Sequence, residues 1–209
     1  MAGAILLTIL AGYLLGNLNG AVITSRLLGK TDVREQGSGN AGLTNFLRMY
    51  GPMEALLVVM IDMAKAAAAC LLGKLLLEPH GYGYEGLLLG GLAVSLGHDF
   101  PALLGFKGGK GVLSGFTVAL VVDWQCALLI LAVFAVSLWL TRYVSLSSIL
   151  GALTFSVAFS IRNWRTPLVA AMGAAIGLLI VVMHRGNISR LVKGTEKKAT
   201  FSKFRRKAQ

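Results

Sequence analysis

Long apolar runs alternate with short polar, glycine-rich breaks along most of this chain. Residues 4–25 can make one membrane crossing at roughly 20 residues per span. Gly12, Gly16, Asn17, Asn19 and Gly20 give that run a small, polar stripe, which predicts a face turned toward other helices. Residues 26–52 form a polar connection, and within it residues 41–50 fit a short interfacial helix capped by Asn40. Residues 53–77 are the second span. Asp62 and Lys65 lie three positions apart in it, on one helical face, where the two charges can neutralise each other inside the bundle. After a turn over residues 78–85, the runs 86–96 and 112–122 are each too short to cross without help from their glycine-rich flanks. Interrupted helices beside a polar loop are a way to build a site at membrane depth. Residues 124–140, 145–161 and 166–183 complete about seven crossings.

Composition agrees with this pattern. The chain is 56% hydrophobic and only 14% charged, against about 25% charged in a soluble domain, and its mean hydropathy is +0.72. An all-α integral membrane protein is expected. Residues 1–15 lack a basic leading segment, so they read as part of a retained first span. The net charge of +11 could suggest nucleic acid, but the cations sit at the ends of apolar runs and are not interleaved with aromatics. Arg26, Lys30, Arg34, Arg48, Lys107, Lys110, Arg142 and the cations of 185–207 fall on one face; Arg162, Arg165 and Lys74 fall on the other. The positive-inside rule makes the first face cytoplasmic, with the N-terminus outside and the C-terminus inside. Residues 1–198 read as a single membrane-embedded domain and 199–209 as a basic cytoplasmic tail. Cys70 and Cys126 have no CxxC spacing and read as buried thiols packing like small hydrophobes. Three histidines without HExxH and no carboxylate cluster give no basis for a metal site or cofactor.

This topology brings three polar stretches to the same face. In residues 37–48, Gly37, Ser38, Gly39, Asn40, Thr44 and Asn45 offer backbone, hydroxyl and amide donors, and Arg48 adds a planar fork suited to phosphate. Ser38 lacks the surroundings of a covalent nucleophile, so a donor role fits it better. In residues 97–111, Lys107, Gly108, Gly109, Lys110 and Gly111 resemble a phosphate cradle without the spacing of a Walker motif. His98 at its start is either a satisfied structural histidine or a substrate contact. In the third stretch, His184 and Asn187 lie one turn apart and make either a base and donor pair or an interfacial anchor.

Together these stretches resemble the bacterial acyl-phosphate:glycerol-3-phosphate acyltransferase family, PlsY. The matches are Gly-Ser-Gly-Asn-x-Gly-x-Thr-Asn-x-x-Arg at 37–48, Gly-His-x-Phe-Pro with Phe-Lys-Gly-Gly-Lys-Gly over 97–111, and His-Arg-x-Asn-Ile-x-Arg-Leu-x-x-Gly-x-Glu-x-Lys at 184–198. Asp62-x-x-Lys65 and the segment 142–146 add to them. Departures are Ala66 where glycine is usual, Ala41 where proline is common, and Leu113-Ser114 in place of Ala-Thr. None removes a charged or hydrogen-bonding group. The resemblance runs from about residue 14 to 198.

It implies acyl transfer from acyl phosphate to the 1-hydroxyl of glycerol 3-phosphate in the bacterial inner membrane. Membrane lipids would be the surroundings, an acyl-phosphate-making enzyme would act upstream, and no cofactor or nucleic acid would be needed. By residue match, Ser38, Asn40 and Arg48 would orient phosphate near the acyl carbonyl, and residues 107–111 would hold glycerol 3-phosphate or the leaving phosphate. His184 and Asn187 would orient the attacking hydroxyl, with Ser145 nearby and His184 or a substrate phosphate taking the proton. Asp62, Lys65 and Glu196 read as structural. The same residues leave two rivals, an acyl-CoA-dependent enzyme and an organic phosphate transporter. The first calls for a histidine with an acid five positions on; His98 is followed there by Leu103, and His80 by Glu85 in an external turn.

Overall fold

A computed structural model describes residues 1–199, so the expected tail falls outside the described residues apart from Ala199. The described chain is helical, with ten α-helices: α1 Ala2–Asn17, α2 Gly20–Leu27, α3 Leu43–Tyr50, α4 Pro52–Leu77, α5 Gly83–Asp99, α6 Val112–Val122, α7 Trp124–Thr141, α8 Val144–Arg162, α9 Pro167–Met183 and α10 Arg185–Val192. Four helical stretches are long and apolar enough to cross a membrane: Pro52–His80, Gly83–Leu104, Trp124–Thr141 and Val144–Arg162. The count reaches six if two bent pairs each make one span, α1 with α2 at 44° and α9 with α10 at 55°. The remaining apolar helix, α6, has 11 residues, about 16 Å of rise against a hydrocarbon core of roughly 30 Å.

The expected uninterrupted first span is therefore broken, at Leu18 and Asn19, and the buried ion pair of α4 explains how. A break frees backbone carbonyls on one side and amides on the other, which cannot stay unpaired away from water. The Lys65 ammonium donates to the Leu18 carbonyl at 2.8 Å and the Gly16 carbonyl at 3.3 Å, while Asp62 Oδ1 accepts from the Gly20 amide at 3.0 Å. The pair closes on itself at 2.8 Å. Asn19 caps α2 by accepting from the Val22 amide and donates to the Ala41 carbonyl at 2.9 Å, linking the break to the next polar loop.

α5 lies between α1 and α4. A Cβ at Gly90 would collide with the Ala69 carbonyl and one at Gly97 with that of Tyr13, so these glycines set the close crossings. A core around Cys70, Leu88, Val118, Phe155, Phe159 and Ile176 joins α5 to α6, α8 and α9. Both cysteines are free and buried. α7 turns most of its surface outward, with Leu128, Leu131 and Trp139 exposed, as suits a lipid-facing helix. The interfacial helix starts at Leu43 with Gly42 at its cap; Asn40 does not cap it, because the chain turns at Asn40, whose carbonyl accepts from the Gly42 amide.

Candidate active site

The three polar stretches enclose a cavity of about 1000 Å³. Ser38, Gly39, Asn40, Thr44, Asn45 and Arg48 line it from the first stretch. His98, Lys107, Gly108, Gly109, Lys110 and Gly111 line it from the second, and His184 and Asn187 from the third, with Ser145 at the start of α8. Gly37 does not line it. Apolar side chains of α6 to α9 complete the wall: Phe116, Ile130, Leu131, Phe134, Phe155 and Ile180.

The first loop is folded around Asn45. Its amide donates to the carbonyls of Val33, Gln36 and Asn40 at 3.0 to 3.2 Å, and its Oδ1 accepts from the Ser38 amide at 3.0 Å. Asn45 thus spends its polar groups on shaping the loop. Gly37 has a φ of 63° and no room for a Cβ beside Asn45, so its contribution is the same. Arg34 grips Asp32 at 2.8 Å and reaches the Leu104 carbonyl at 3.2 Å, tying this loop to the second; that hydrogen-bonded guanidinium holds the Asp32 carboxyl below the usual range. Arg48 and Ser38 are exposed, and their side chains make no hydrogen bond to the described residues. A guanidinium left free on a cavity wall is available to an anion.

The second loop lies against the end of α5. The Gly109 amide donates to the His98 carbonyl at 3.0 Å, and a Cβ at Gly108 or Gly109 would collide with the backbone or ring of His98. Gly111, at φ 67°, turns the chain into α6, whose N-terminal end faces the same space. Lys107 is exposed, whereas the Lys110 ammonium donates to Asn187 Oδ1.

In the third stretch, α9 ends at His184 and α10 turns Asn187 back toward Lys110. His184 Nδ1 lies 2.8 Å from the Ile180 carbonyl. A carbonyl only accepts, so the ring proton belongs on Nδ1 and Nε2 keeps its lone pair. Glu196 gathers this side: Oε1 accepts from Ser145 Oγ at 2.7 Å and Asn187 Nδ2 at 2.6 Å, and Oε2 from Arg190 Nε at 2.6 Å. Burial alone would raise the Glu196 carboxyl, but these three hydrogen bonds and the Arg190 charge hold it below its ordinary range.

Glu196, read as structural, is placed by the structure where it holds Ser145 and Asn187. Sequence reasoning missed two groups: Arg190, which lines the cavity beside Glu196, and Asp99, which lines the cavity with both carboxylate oxygens buried and unpartnered among the described residues. An acid inside an otherwise cationic motif, at 99 and at 196, was the available signal. Neither His80 nor Glu85 lines the cavity. Among the described residues, no three His, Cys, Asp or Glu side chains are placed to share a metal ion.

A bundle of apolar helices around a cleft that is part cationic and part apolar defines a polytopic membrane protein. The model of the glycerol-3-phosphate acyltransferase family matches residues 6–194, and the chain belongs to that family. The glycerol-3-phosphate acyltransferase of Anaeromyxobacter dehalogenans is 42% identical over 201 residues, 95% of this chain and 98% of the relative. That of Thermoanaerobacter pseudethanolicus is 38% identical over 192 residues, 92% and 94%. Two crystal structures of PlsY, an integral membrane glycerol 3-phosphate acyltransferase, are similar at 33% identity. Its glycerol 3-phosphate form has a TM-score of 0.85, covering 96% of this chain and 98% of that one. Its lysophosphatidic acid form has a TM-score of 0.82, covering 95% and 96%.

Proposed function

We propose that this protein moves an acyl chain from acyl phosphate to the 1-hydroxyl of glycerol 3-phosphate, giving 1-acyl-glycerol 3-phosphate and phosphate, the opening step of phospholipid synthesis. The observation that carries this reading is the meeting of three donor-rich segments and an apolar wall in one cavity. The related crystal structures, described as glycerol 3-phosphate and lysophosphatidic acid forms, supply an acceptor and a product of matching chemistry.

Ser38, Gly39, Asn40, Thr44 and Arg48 orient the donor phosphate, on a loop shaped by Asn45 and Gly37. Lys107 and the 108–111 backbone hold glycerol 3-phosphate, with Lys110 fixed by Asn187. His184 Nε2, Asn187 and Ser145 orient the attacking hydroxyl. The hydroxyl oxygen bonds to the acyl carbon, the carbon–oxygen bond to phosphate breaks, and the hydroxyl proton ends on the departing phosphate, through His184 Nε2 or directly. A mixed anhydride already carries a good leaving group, so positioning and charge stabilisation do most of the work. Such a donor requires an upstream reaction that makes acyl phosphate. The cations that line the cavity, Arg48, Lys107, Lys110, Arg185, Arg190 and Lys197, favour a cytoplasmic opening in a bacterial inner membrane. Seven crossings, a single domain to residue 198 and an external N-terminus are part of the same proposal.

The test is purified protein with labelled glycerol 3-phosphate, offered acyl phosphate or acyl-CoA. Labelled lysophosphatidic acid from acyl phosphate alone is expected; product from acyl-CoA alone would overturn the donor assignment.

A further inference from the structure

The second histidine of the cavity has the opposite hydrogen-bonding sense from His184. His98 Nδ1 lies 2.8 Å from Lys65 Nζ, and Lys65 itself stands 2.8 Å from Asp62 Oδ1. Lys65 is 4% exposed and its charge is matched by Asp62. An ammonium has donors and no acceptor, so Nδ1 accepts and the ring proton belongs on Nε2. That Nε2 makes no hydrogen bond to the described residues, although His98 is only 5% exposed and lines the cavity. It points at the face of Gly109 where a side chain would stand, a position also 3.0 Å from the Ala41 carbonyl. The unpartnered N–H therefore lies between the loop of Asn40 and the loop of Lys107 and Lys110.

We propose that Asp62 and Lys65 are positioning residues that lock His98 as the Nε2–H tautomer, so that it serves as a fixed donor to a phosphate oxygen and never as a base. The inference rests on the functional reading above for the identity of the ligand, but not for the state of the ring. Lys65 cannot be exchanged for a group that accepts without reversing the ring. The phosphate could belong to glycerol 3-phosphate or to acyl phosphate, since both present the same oxygens.

Nitrogen-15 NMR of the full-length protein in detergent micelles, labelled at its three histidines and assigned by single His→Gln variants, reads the tautomer directly. A protonated Nε2 with a bare Nδ1 is expected at His98, and the reverse at His184. A bare Nε2 or a doubly protonated ring at His98 would overturn the proposal. Adding glycerol 3-phosphate, or separately a non-hydrolysable acyl phosphonate, should shift the Nε2–H signal, and the arm that shifts it identifies which phosphate it grips. No shift with either overturns the donor role. Kinetically, His98→Gln, which keeps a donor near the Nε2 position, should retain activity within about tenfold, and His98→Ala should lose on the order of a hundredfold in kcat/KM. Equal losses in the two overturn it. Because Lys65→Met alone strands a buried carboxylate, the double variant Asp62→Asn/Lys65→Met is the one to compare; it keeps an acceptor for the Gly20 amide, and its His98 should show mixed tautomers. An unchanged single tautomer there removes Lys65 from the argument. If neither acyl donor supports activity while the tautomer and the phosphate shift are as expected, the functional reading falls and this one stands.

Discussion

The wall made by α4 and α5 and the wall made by α9 and α10 each present one buried histidine to the same cavity, with opposite polarity. On the first, an ammonium behind the ring turns His98 outward as a donor; on the second, a carbonyl behind the ring turns His184 outward as an acceptor. The residue type is the same, and the group behind it decides the role. The acids differ too. Glu196 on the second wall is fully engaged, whereas Asp99 on the first has no partner for either oxygen among the described residues.

The comparison breaks most sharply under matched substitutions. His184→Gln removes the basic ring nitrogen and leaves an amide that cannot take up a proton, and kcat is expected to fall by roughly a hundredfold or more, the range for losing a positioned proton acceptor. A fall no larger than that of His98→Gln would sink the contrast between the walls and leave a substrate phosphate as the direct proton acceptor. Next in size is Arg48→Lys, between the walls, which keeps the charge and loses the fork. Steady-state kinetics should register a drop in kcat/KM of about tenfold to a hundredfold; unchanged kinetics would mean that Arg48 does not clamp phosphate.

Acid stability sharpens the contrast between the two carboxylates. The folded state holds Glu196 below its ordinary range, so it binds fewer protons there than the unfolded chain does. Its stabilisation is fully present above the ordinary glutamate range and is lost as pH falls through the lowered value. Thermal melts of Glu196→Gln should accordingly lose less on acidification than those of the native protein, starting from a lower melting temperature near neutrality. Identical acid profiles would show that the network does not hold the carboxylate. The smallest effect expected is at Asp99. Replacing its unpartnered carboxyl by an apolar group of similar size, in Asp99→Leu, should raise the melting temperature by roughly 2 to 4 °C, equivalent to about 1 kcal/mol. A lower melting temperature would reveal a partner for Asp99.

Much of this arrangement is readable from the amino-acid sequence. The motif stretches stand out because glycine, lysine and asparagine interrupt apolar runs, and Asp62 with Lys65 is legible as a pair because helical spacing fixes their shared face. The break after Asn17 is not, since hydropathy continues through Leu18 and beyond, and only the stripe of asparagines and glycines hints that backbone groups there find outside partners. The service of Glu196 to Ser145 is hidden for a different reason: the two are 51 positions apart and joined by no periodic pattern. Asn45 shows the limit within a motif, where a residue type suited to binding a ligand is used up in shaping its own loop.

The shortness of α6 has a further consequence. Its 11 residues set Gly111 about 18 Å from Asp123 at the other end of the helix, little more than half of a hydrocarbon core of roughly 30 Å. If the donor is the acyl phosphate proposed above, it would meet the acceptor hydroxyl beside an apolar wall at that level, where hydrolysis would compete less well with capture by a hydroxyl already held in place. The truncated helix would then govern how much activated fatty acid is conserved as lipid and how much is wasted as free acid.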